Sequence, residues 1–211
     1  QHDRTFWSVR QKRDAAAAEL PEWEDLREYA SRIKAHTATH LADYLDQFSN
    51  SLERNGVIVH FAKDAQEFNE MVYGILESHK VKKLVKSKSM LTEECEMNPY
   101  LIKRGINVIE SDLGERILQL MHLRPAHIVM PAIHLTRDEV GEMFEEKGIS
   151  KEKGNHDPTY LTRCAREDLR GDFMDADAGL TGCNFGVAAT GDCVVCTNEG
   201  NADMSTSVPK L

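Results

Sequence analysis

Mostly apolar side chains recur at helical spacing near the start of the chain. Steps of three or four residues connect Leu26, Ala30, Ile33, Thr37, Leu41, Tyr44, Phe48 and Leu52. This spacing is typical of a helix that buries one face. Pro21 suits the entry of a helix and Asn55-Gly56 suits its end, so one long helix is predicted over 22–54. We expect residues 1–54 to form a helical extension that packs across an α/β domain of residues 55–211.

Beyond residue 56 the pattern changes to short apolar runs that alternate with helical stretches. Runs with the length and apolar character of buried strands lie at 57–61, 82–86, 106–110 and 127–131. Helical patterns cover 64–79, 92–104, 115–121, 138–147 and 160–175, and 148–158 is a turn-rich loop. Strands joined through crossover helices indicate a parallel sheet with helices on both faces.

Extended pieces replace this alternation near the end of the chain. Strands are predicted at 178–182, 185–189 and 193–197, with Thr190-Gly191-Asp192 as a hairpin turn between the last two. The fold class predicted is therefore α/β, with a three-layer, Rossmann-like mixed sheet that has an antiparallel end. Ligands of such folds collect at the carboxyl ends of the strands, so we expect the chemistry there.

Composition and charge narrow the classes of protein that remain. The chain has 211 residues, 41% apolar and 29% charged, as in ordinary globular proteins. Its 35 acidic and 26 basic residues give a net charge of −9, which argues against nucleic-acid binding. No apolar run approaches the ~20 residues of a membrane span. The N-terminus, Gln1-His2-Asp3-Arg4, lacks the apolar stretch of a signal peptide, so we expect a cytoplasmic location. Five irregularly spaced cysteines give no disulfide framework, so we expect reduced thiols.

The most basic strand end is Lys86-Ser87-Lys88-Ser89, directly after the predicted strand at 82–86. Two ammonium groups and two hydroxyls before a helix suit a carboxylate or a phosphate, because the free N–H groups of the helix add to the side-chain charge. The alternative is a solvated turn in which Ser89 caps the next helix.

Carboxylates and a histidine follow the next two predicted strands. In Glu110-Ser111-Asp112-Leu113-Gly114-Glu115, Asp112 is best explained as a helix cap, whereas Glu115 is open as a general acid or base or as a helix-start residue. His134 lies three residues past the run at 127–131, where it is placed to take a proton from a substrate hydroxyl; a structural role is equally open. His127, inside that run, is predicted to be a packing residue.

Further polar candidates lie in the C-terminal part of the chain. Asn184 follows Thr181-Gly182-Cys183, and Thr197-Asn198-Glu199-Gly200-Asn201 combines donors and acceptors around a glycine. By contrast, Cys193-Val194-Val195-Cys196 is a poor metal motif, because residues three apart in a strand point to opposite faces. The chain has no second cysteine pair with metal-site spacing, so no metal site is predicted.

These blocks, taken in order, resemble the lactate-utilisation (LUD) domain family. The matching blocks are 86–94, 110–115, 131–134, 181–185 and 197–201. The resemblance implies a fold similar to the NagB/RpiA/CoA-transferase group and a role in a three-component iron–sulfur oxidase that converts L-lactate to pyruvate and transfers the electrons. Members continue into a ferredoxin-like region whose cysteine runs bind 4Fe–4S clusters. Such runs are missing here, so no cofactor is expected within this chain.

The resemblance also implies ligands and partners. A small 2-hydroxy acid or 2-oxo acid is the expected ligand, and the two other subunits of the lactate-utilisation complex are the expected partners. Oxidation of the hydroxyl needs cations for the carboxylate and a base for the proton. The candidates for anion binding are Lys86, Ser87, Lys88 and Ser89; the candidate bases are His134 and Glu115; the candidate orienting groups are Asn184, Asn198, Glu199 and Asn201.

Two other functions remain open from the sequence. The domain can bind a small acid or assemble the complex without catalysis of its own, or it can be a CoA-transferase-like enzyme with Glu199 as a covalent nucleophile. Because no electron acceptor is evident in these residues, we expect this chain alone not to oxidise lactate.

Overall fold

The computed structural model describes residues 2–197 and 199–211, with side chains from Phe6 onward; Asn198 lies outside the described residues. Ten helices and five short strands are found in this part of the chain, which confirms the α/β class. In chain order they are α1 His2–Ala18, α2 Trp23–Thr39, α3 Leu41–Arg54, α4 Ala65–Ser78, β1 Lys83–Lys86, α5 Met90–Glu94, α6 Met97–Ile102, β2 Asn107–Glu110, α7 Leu113–Met121, α8 Arg137–Glu146, α9 Pro158–Asp175, β3 Ala178–Leu180, β4 Phe185–Val187, β5 Asp192–Val194 and α10 Asn201–Ser207.

The chain divides into two compact units. One contains the residues up to Val59 together with Phe185–Val194, and the other contains His60–Asn184 together with Val195–Leu211. Within the second unit, as elsewhere in the described residues, no helix has both the length and the apolar character to cross a membrane.

In the first unit, the single helix predicted over 22–54 is wrong, because the backbone leaves helical conformation at His40. Two threonines precede the break, and each hydroxyl donates to a carbonyl four residues back: Thr37 to Ile33 and Thr39 to Ala35. Such bonds compete with the regular helical pattern and bend helices. The helical spacing is nevertheless confirmed on both sides of the break, in α2 and α3.

The predicted hairpin is confirmed, and β4 and β5 pair in antiparallel register. They form a two-stranded sheet of their own. The prediction that they extend the parallel sheet into one mixed sheet is therefore wrong. Within the first unit, Ser51 Oγ donates to the carbonyl of Ala188 at 2.9 Å, and Asn55 Nδ2 donates to the carbonyl of Thr190 at 2.8 Å. These two bonds hold the hairpin against the end of α3.

The parallel sheet in the second unit has the order β2-β1-β3. Its register sets Lys86 beside Glu110 on one side and beside Leu180 on the other. Side chains alternate between the two faces of a strand. Leu84 of β1 packs with α4 and α6 in one core cluster, and Val85 packs with α9 in another. Helices therefore cover both faces, which gives the predicted three layers.

Two strand predictions are wrong. The runs at 57–61 and 127–131 contain no strand residues. Ile58, Ile128 and Val129 keep 79%, 62% and 70% of their surface exposed. In the second run the side chain of His127 accepts hydrogen bonds from two backbone amides of the run itself. Those amides close a turn and are no longer available for strand pairing.

The helix predicted over 92–104 is two helices, α5 and α6. Glu96, between them, has a positive φ of 50°. Pro99 has no N–H and clashes with a preceding helical turn, so it fits only in the first turn of a new helix. The cap predicted at Asp112 is confirmed, because its side chain accepts from the N–H of Glu115 at the start of α7.

Candidate functional site

A buried ion pair lies at the carboxyl ends of the two longest strands. Lys86 is two residues after Leu84, and Glu110 is two residues after Val108, so both follow core residues on the same face of the sheet. The side chain of Lys86 has no exposed surface, and its Nζ donates to both carboxylate oxygens of Glu110, at 2.7 and 2.9 Å. Asn98 Nδ2 of α6 donates to the same carboxylate.

Two more carboxylates surround this pair. Glu115, in the first turn of α7, is buried, and its Oε2 lies 3.8 Å from Lys86 Nζ without any hydrogen-bond partner. Oxygen atoms of Glu93, Glu110 and Glu115 all lie within 4.8 Å of one another. The Lys86 ammonium compensates one of these negative charges, and it is already occupied by Glu110. Ionisation of all three carboxyl groups would therefore leave an excess of negative charge in a poorly hydrated place, which disfavours the charged form of Glu115.

This environment changes the proton affinity of Glu115. Burial is the main cause, followed by the Glu110 charge and by a hydrogen bond with Glu110, and together they raise the pKa of Glu115 to about 9 against the opposing effect of Lys86. Burial also raises the pKa of Glu93. Glu115 is therefore a neutral carboxylic acid at neutral pH and is able to donate a hydrogen bond.

We expect the stability of the protein to fall as the pH rises from about 5 to about 9. The folded state keeps the Glu115 proton up to about pH 9, whereas an unfolded glutamate loses it near a pKa of about 4.3. The folded state thus binds more protons over this range, and rising pH favours unfolding. Urea unfolding at several pH values should show a smaller fall for Glu115→Gln, which cannot ionise. Exposed Glu142→Gln is the control; equal pH slopes for wild type and Glu115→Gln would contradict the raised pKa.

Glu115 lines two adjoining cavities of about 490 and 390 Å³. Glu93, Asn98 and Pro99 line both of them as well. The larger cavity also has Arg124 and His127 in its wall. A space of this size, with cationic, acidic and apolar lining, suits a small polar ligand.

A network of hydroxyl groups holds the strand ends together beside the ion pair. Ser87 Oγ lies 2.6 Å from Thr181 Oγ1, and Ser111 Oγ donates to the carbonyl of Lys86 at 2.8 Å. Asn201 Nδ2 donates to Ser111 Oγ at 3.5 Å. The structure thus brings together Ser87 and Asn201 of the predicted set, in contact with the strand ends of the sheet.

Other predicted residues have different surroundings. Lys88 Nζ donates to the carbonyl of Val129 at 2.7 Å, and Asn184 Oδ1 accepts from the N–H of Cys196 at 2.7 Å. Glu199 accepts a hydrogen bond from the backbone N–H of Leu113. Partial desolvation, followed by the negative charge of Asp112, raises the pKa of Glu199.

Ser89 precedes α5 but its side chain forms no cap. The alternative in which Ser89 caps this helix is therefore wrong. His134 is exposed, and neither cavity has it in its lining.

Sequence reasoning missed four residues of the site: Glu93, Asn98, Arg124 and His127. Glu93 was visible within the block 86–94, but nothing in the spacing shows that α5 turns it toward Glu110. His127 was assigned to a core strand that does not form, and the structure places it in the cavity wall instead. Pro125, two residues before it, was the available signal against a strand.

The sequence of this chain matches the model of a known protein family. The model of the LUD domain matches residues 45–211, which is most of the chain. The chain belongs to the LUD domain family. The matched part of the LUD domain includes all the residues of the ion pair and of both cavities.

Full-length relatives of this LUD domain are similar along nearly the whole chain. Lactate utilization protein B of Oceanobacillus iheyensis is 46% identical over 201 residues, covering 95% of this chain and 41% of the relative. The protein of the same name from Bacillus pumilus is 46% identical, with coverage of 95% and 42%. That from Geobacillus thermodenitrificans is 46% identical, with coverage of 91% and 40%. The chain therefore spans about two fifths of the length of these relatives. No solved structure gives a significant match.

Proposed function

We propose that this LUD domain is the substrate-binding part of a longer lactate-utilisation protein, in which an iron–sulfur oxidase converts L-lactate to pyruvate. The similarity to proteins named lactate utilization protein B supports the substrate class. The single observation that carries the site assignment is the buried carboxyl group of Glu115, whose pKa is raised, in the wall of a cavity large enough for a small acid.

Glu115 has the chemistry that this substrate pair needs. Oxidation of a 2-hydroxy acid removes two electrons and two protons, one from the hydroxyl oxygen and one from the adjacent carbon. The single O–H of the neutral carboxyl group, which bonds with Glu110 in the ligand-free protein, turns to donate a hydrogen bond to the carbonyl oxygen of a 2-oxo acid. Its ionised form, which becomes populated as the pH approaches 9, takes the hydroxyl proton of a 2-hydroxy acid. Glu115 therefore handles the oxygen-bound proton in either direction. The proton on the carbon is released to solvent when the two electrons pass to the acceptor.

The ligand carboxylate needs a cation in the same cavity. Lys86, the leading candidate by sequence, is fully buried and is paired with Glu110, so in this proposal it supports Glu115 instead of contacting the ligand. Arg124 lines the larger cavity and is exposed, and a guanidinium group binds a carboxylate through two parallel hydrogen bonds. We assign the ligand carboxylate to Arg124.

The electrons leave this part of the protein. Among the residues that the structure describes, only Glu93, Glu110 and Glu115 form a group of three or more metal-binding side chains, and no cysteine belongs to it. Cys164 is buried among apolar side chains. We propose as the electron acceptor an iron–sulfur cluster in the other part of the longer protein. The proposed partners of the longer protein are the two other subunits of the lactate-utilisation complex, and its proposed location is the cytoplasm.

Calorimetric titration with pyruvate and with L-lactate tests this proposal. We expect the wild-type chain to bind at least pyruvate, and Arg124→Ala to weaken the affinity by roughly tenfold or more, because a charge-assisted hydrogen-bond pair contributes about 1.5–3 kcal/mol. Arg163→Ala, an exposed arginine of α9, is the matched control and should bind like the wild type. The proposal fails if the folded wild-type chain binds neither acid.

A further inference from the structure

We propose that His156 is a pH-sensitive switch, which holds the loop of residues 148–157 against α8 when its ring is charged and releases this loop when the ring is neutral. The ring lies between two carboxylates of α8, with Nδ1 3.0 Å from Asp138 Oδ1 and Nε2 3.4 Å from Glu145 Oε1. Two carboxylates hold an imidazole ring most strongly when both of its nitrogens carry protons. The charge of His156 therefore determines how firmly the loop is attached.

The sequence of α8 creates the place for this ring. Asp138, Gly141 and Glu145 follow one another at steps of three and four residues, so they lie on the same face of the helix. A Cβ atom built on Gly141 would lie 2.2 Å from the His156 ring, so a larger residue at position 141 would displace the ring. His156 therefore contacts the backbone of α8, and only 19% of its side-chain surface is exposed.

The charged groups around the ring favour its protonated form. Asp138 and Glu145 face it from α8, and Arg137 lies 3.8 Å from Asp138 Oδ1 but is itself largely exposed. The hydrogen bond with Asp138 raises the pKa of His156 above its usual value; partial burial opposes this effect and Glu145 adds to it. The two acidic side chains of the loop bond elsewhere, Glu152 with Asn155 Nδ2 and Asp157 with the N–H of Tyr160 in α9.

The two halves of the loop are held by different contacts. In the first half, the hydroxyl oxygen of Tyr160 accepts from the backbone N–H groups of Lys151 and Glu152, at 3.2 and 2.9 Å. These bonds do not depend on the charge of His156. In the second half, the N–H of Gly154 donates to Glu145 Oε1 at 2.5 Å, beside the His156 ring. Loss of the His156 charge should therefore open residues 153–156 first.

The direction of the pH effect follows from the raised pKa of His156. In an open loop the ring would titrate near the ordinary histidine pKa of about 6.5. The attachment is therefore fully present below about pH 6.5 and is lost as the pH rises through the higher pKa of the closed loop. The loop joins α8 to α9, and both helices pack with Ile117 of α7. Its release loosens the connection between two helices that support the helix of Glu115.

Limited proteolysis with trypsin tests this proposal, because Lys153 is an exposed residue of the loop. The rate of cleavage after Lys153 is divided by the rate for an unstructured peptide of the same sequence, which removes the pH dependence of trypsin itself. We expect this ratio to rise roughly two- to fivefold from about pH 6 to about pH 8.5, as for the loss of a partly exposed ion pair. Cleavage after Lys86, which is fully buried, reports global unfolding and should stay slow.

Three variants assign the pH effect to His156. His156→Gln cannot become charged, so its ratio should be the same at both pH values and close to that of the wild type at about pH 8.5. Asp138→Asn keeps the ring but removes the main cause of its raised pKa, so the midpoint of the rise should move to lower pH. His79→Gln, an exposed histidine beyond the end of α4, is the control and should behave like the wild type.

Two results would overturn the role of His156. One is a wild-type ratio that is equal at both pH values, and the other is a rise in His156→Gln as large as that in the wild type, because another group then titrates. If His156→Gln fails to fold, as circular dichroism would show, the Asp138→Asn variant decides. An unchanged midpoint in that variant contradicts the proposal.

Discussion

Lys86→Met is expected to lower the free energy of unfolding by about 3–5 kcal/mol, because it leaves the Glu110 carboxylate buried without its counter-ion. Lys86 has no exposed surface and donates to both oxygens of Glu110. Urea unfolding of the variant measures the loss. Lys83→Met is the matched control in the same strand: Lys83 pairs with Asp172 at 3.1 Å, but both side chains are partly exposed, so we expect about 1 kcal/mol or less.

The double variant Lys86→Met, Glu110→Gln tests the cause. Removal of both charges leaves no uncompensated carboxylate at position 110, so most of the lost stability should return. A loss in the double variant as large as that in Lys86→Met would show that packing around Lys86, and not the ion pair, explains the effect.

Gly179→Ala is the second substitution with a large expected effect. A Cβ atom built on Gly179 lies 1.6 Å from the carbonyl oxygen of Ser205, which is a backbone atom of α10. Neither the strand nor the helix can accommodate this by a side-chain rotation, so β3 and α10 must separate. Overpacking typically costs about 1–3 kcal/mol, and a backbone collision belongs at or above the upper end. Thermal unfolding of the variant measures the cost.

Gly171→Ala provides the contrast in the same part of the chain. Gly171 lies inside α9, and a Cβ there meets no heavy atom within 4 Å. Alanine favours a helix interior over glycine by about 1 kcal/mol, so this variant should be slightly more stable than the wild type. A loss of stability in Gly171→Ala similar to that in Gly179→Ala would contradict the close approach of α10 to β3.

The sequence was sufficient for the α/β class and for the strand ends as the place of the candidate site. The alternation of apolar runs and helical spacing predicted β1, β2, α4 and α9 at nearly their observed positions. Periodicity was insufficient at 127–131, where five mostly apolar residues fit a strand equally well. There the His127 side chain takes the backbone amides that a strand would need.

The state of Lys86 was beyond sequence reasoning for a different reason. A lysine at a strand end is usually solvated, and its burial here depends on the register that sets it beside Glu110, 24 residues further along the chain. The raised pKa of Glu115 depends in turn on side chains from β1, β2 and α5. Only the assembled sheet and its covering helices bring these groups together.

The central claim is that Glu115 keeps its proton at neutral pH in the wall of the cavity. A carbon-13 NMR titration of the glutamate side-chain carboxyl groups measures this directly, and the Glu115→Gln spectrum identifies the signal. We predict a midpoint for Glu115 at about pH 9. A midpoint near the ordinary glutamate pKa of about 4.3 would contradict the account.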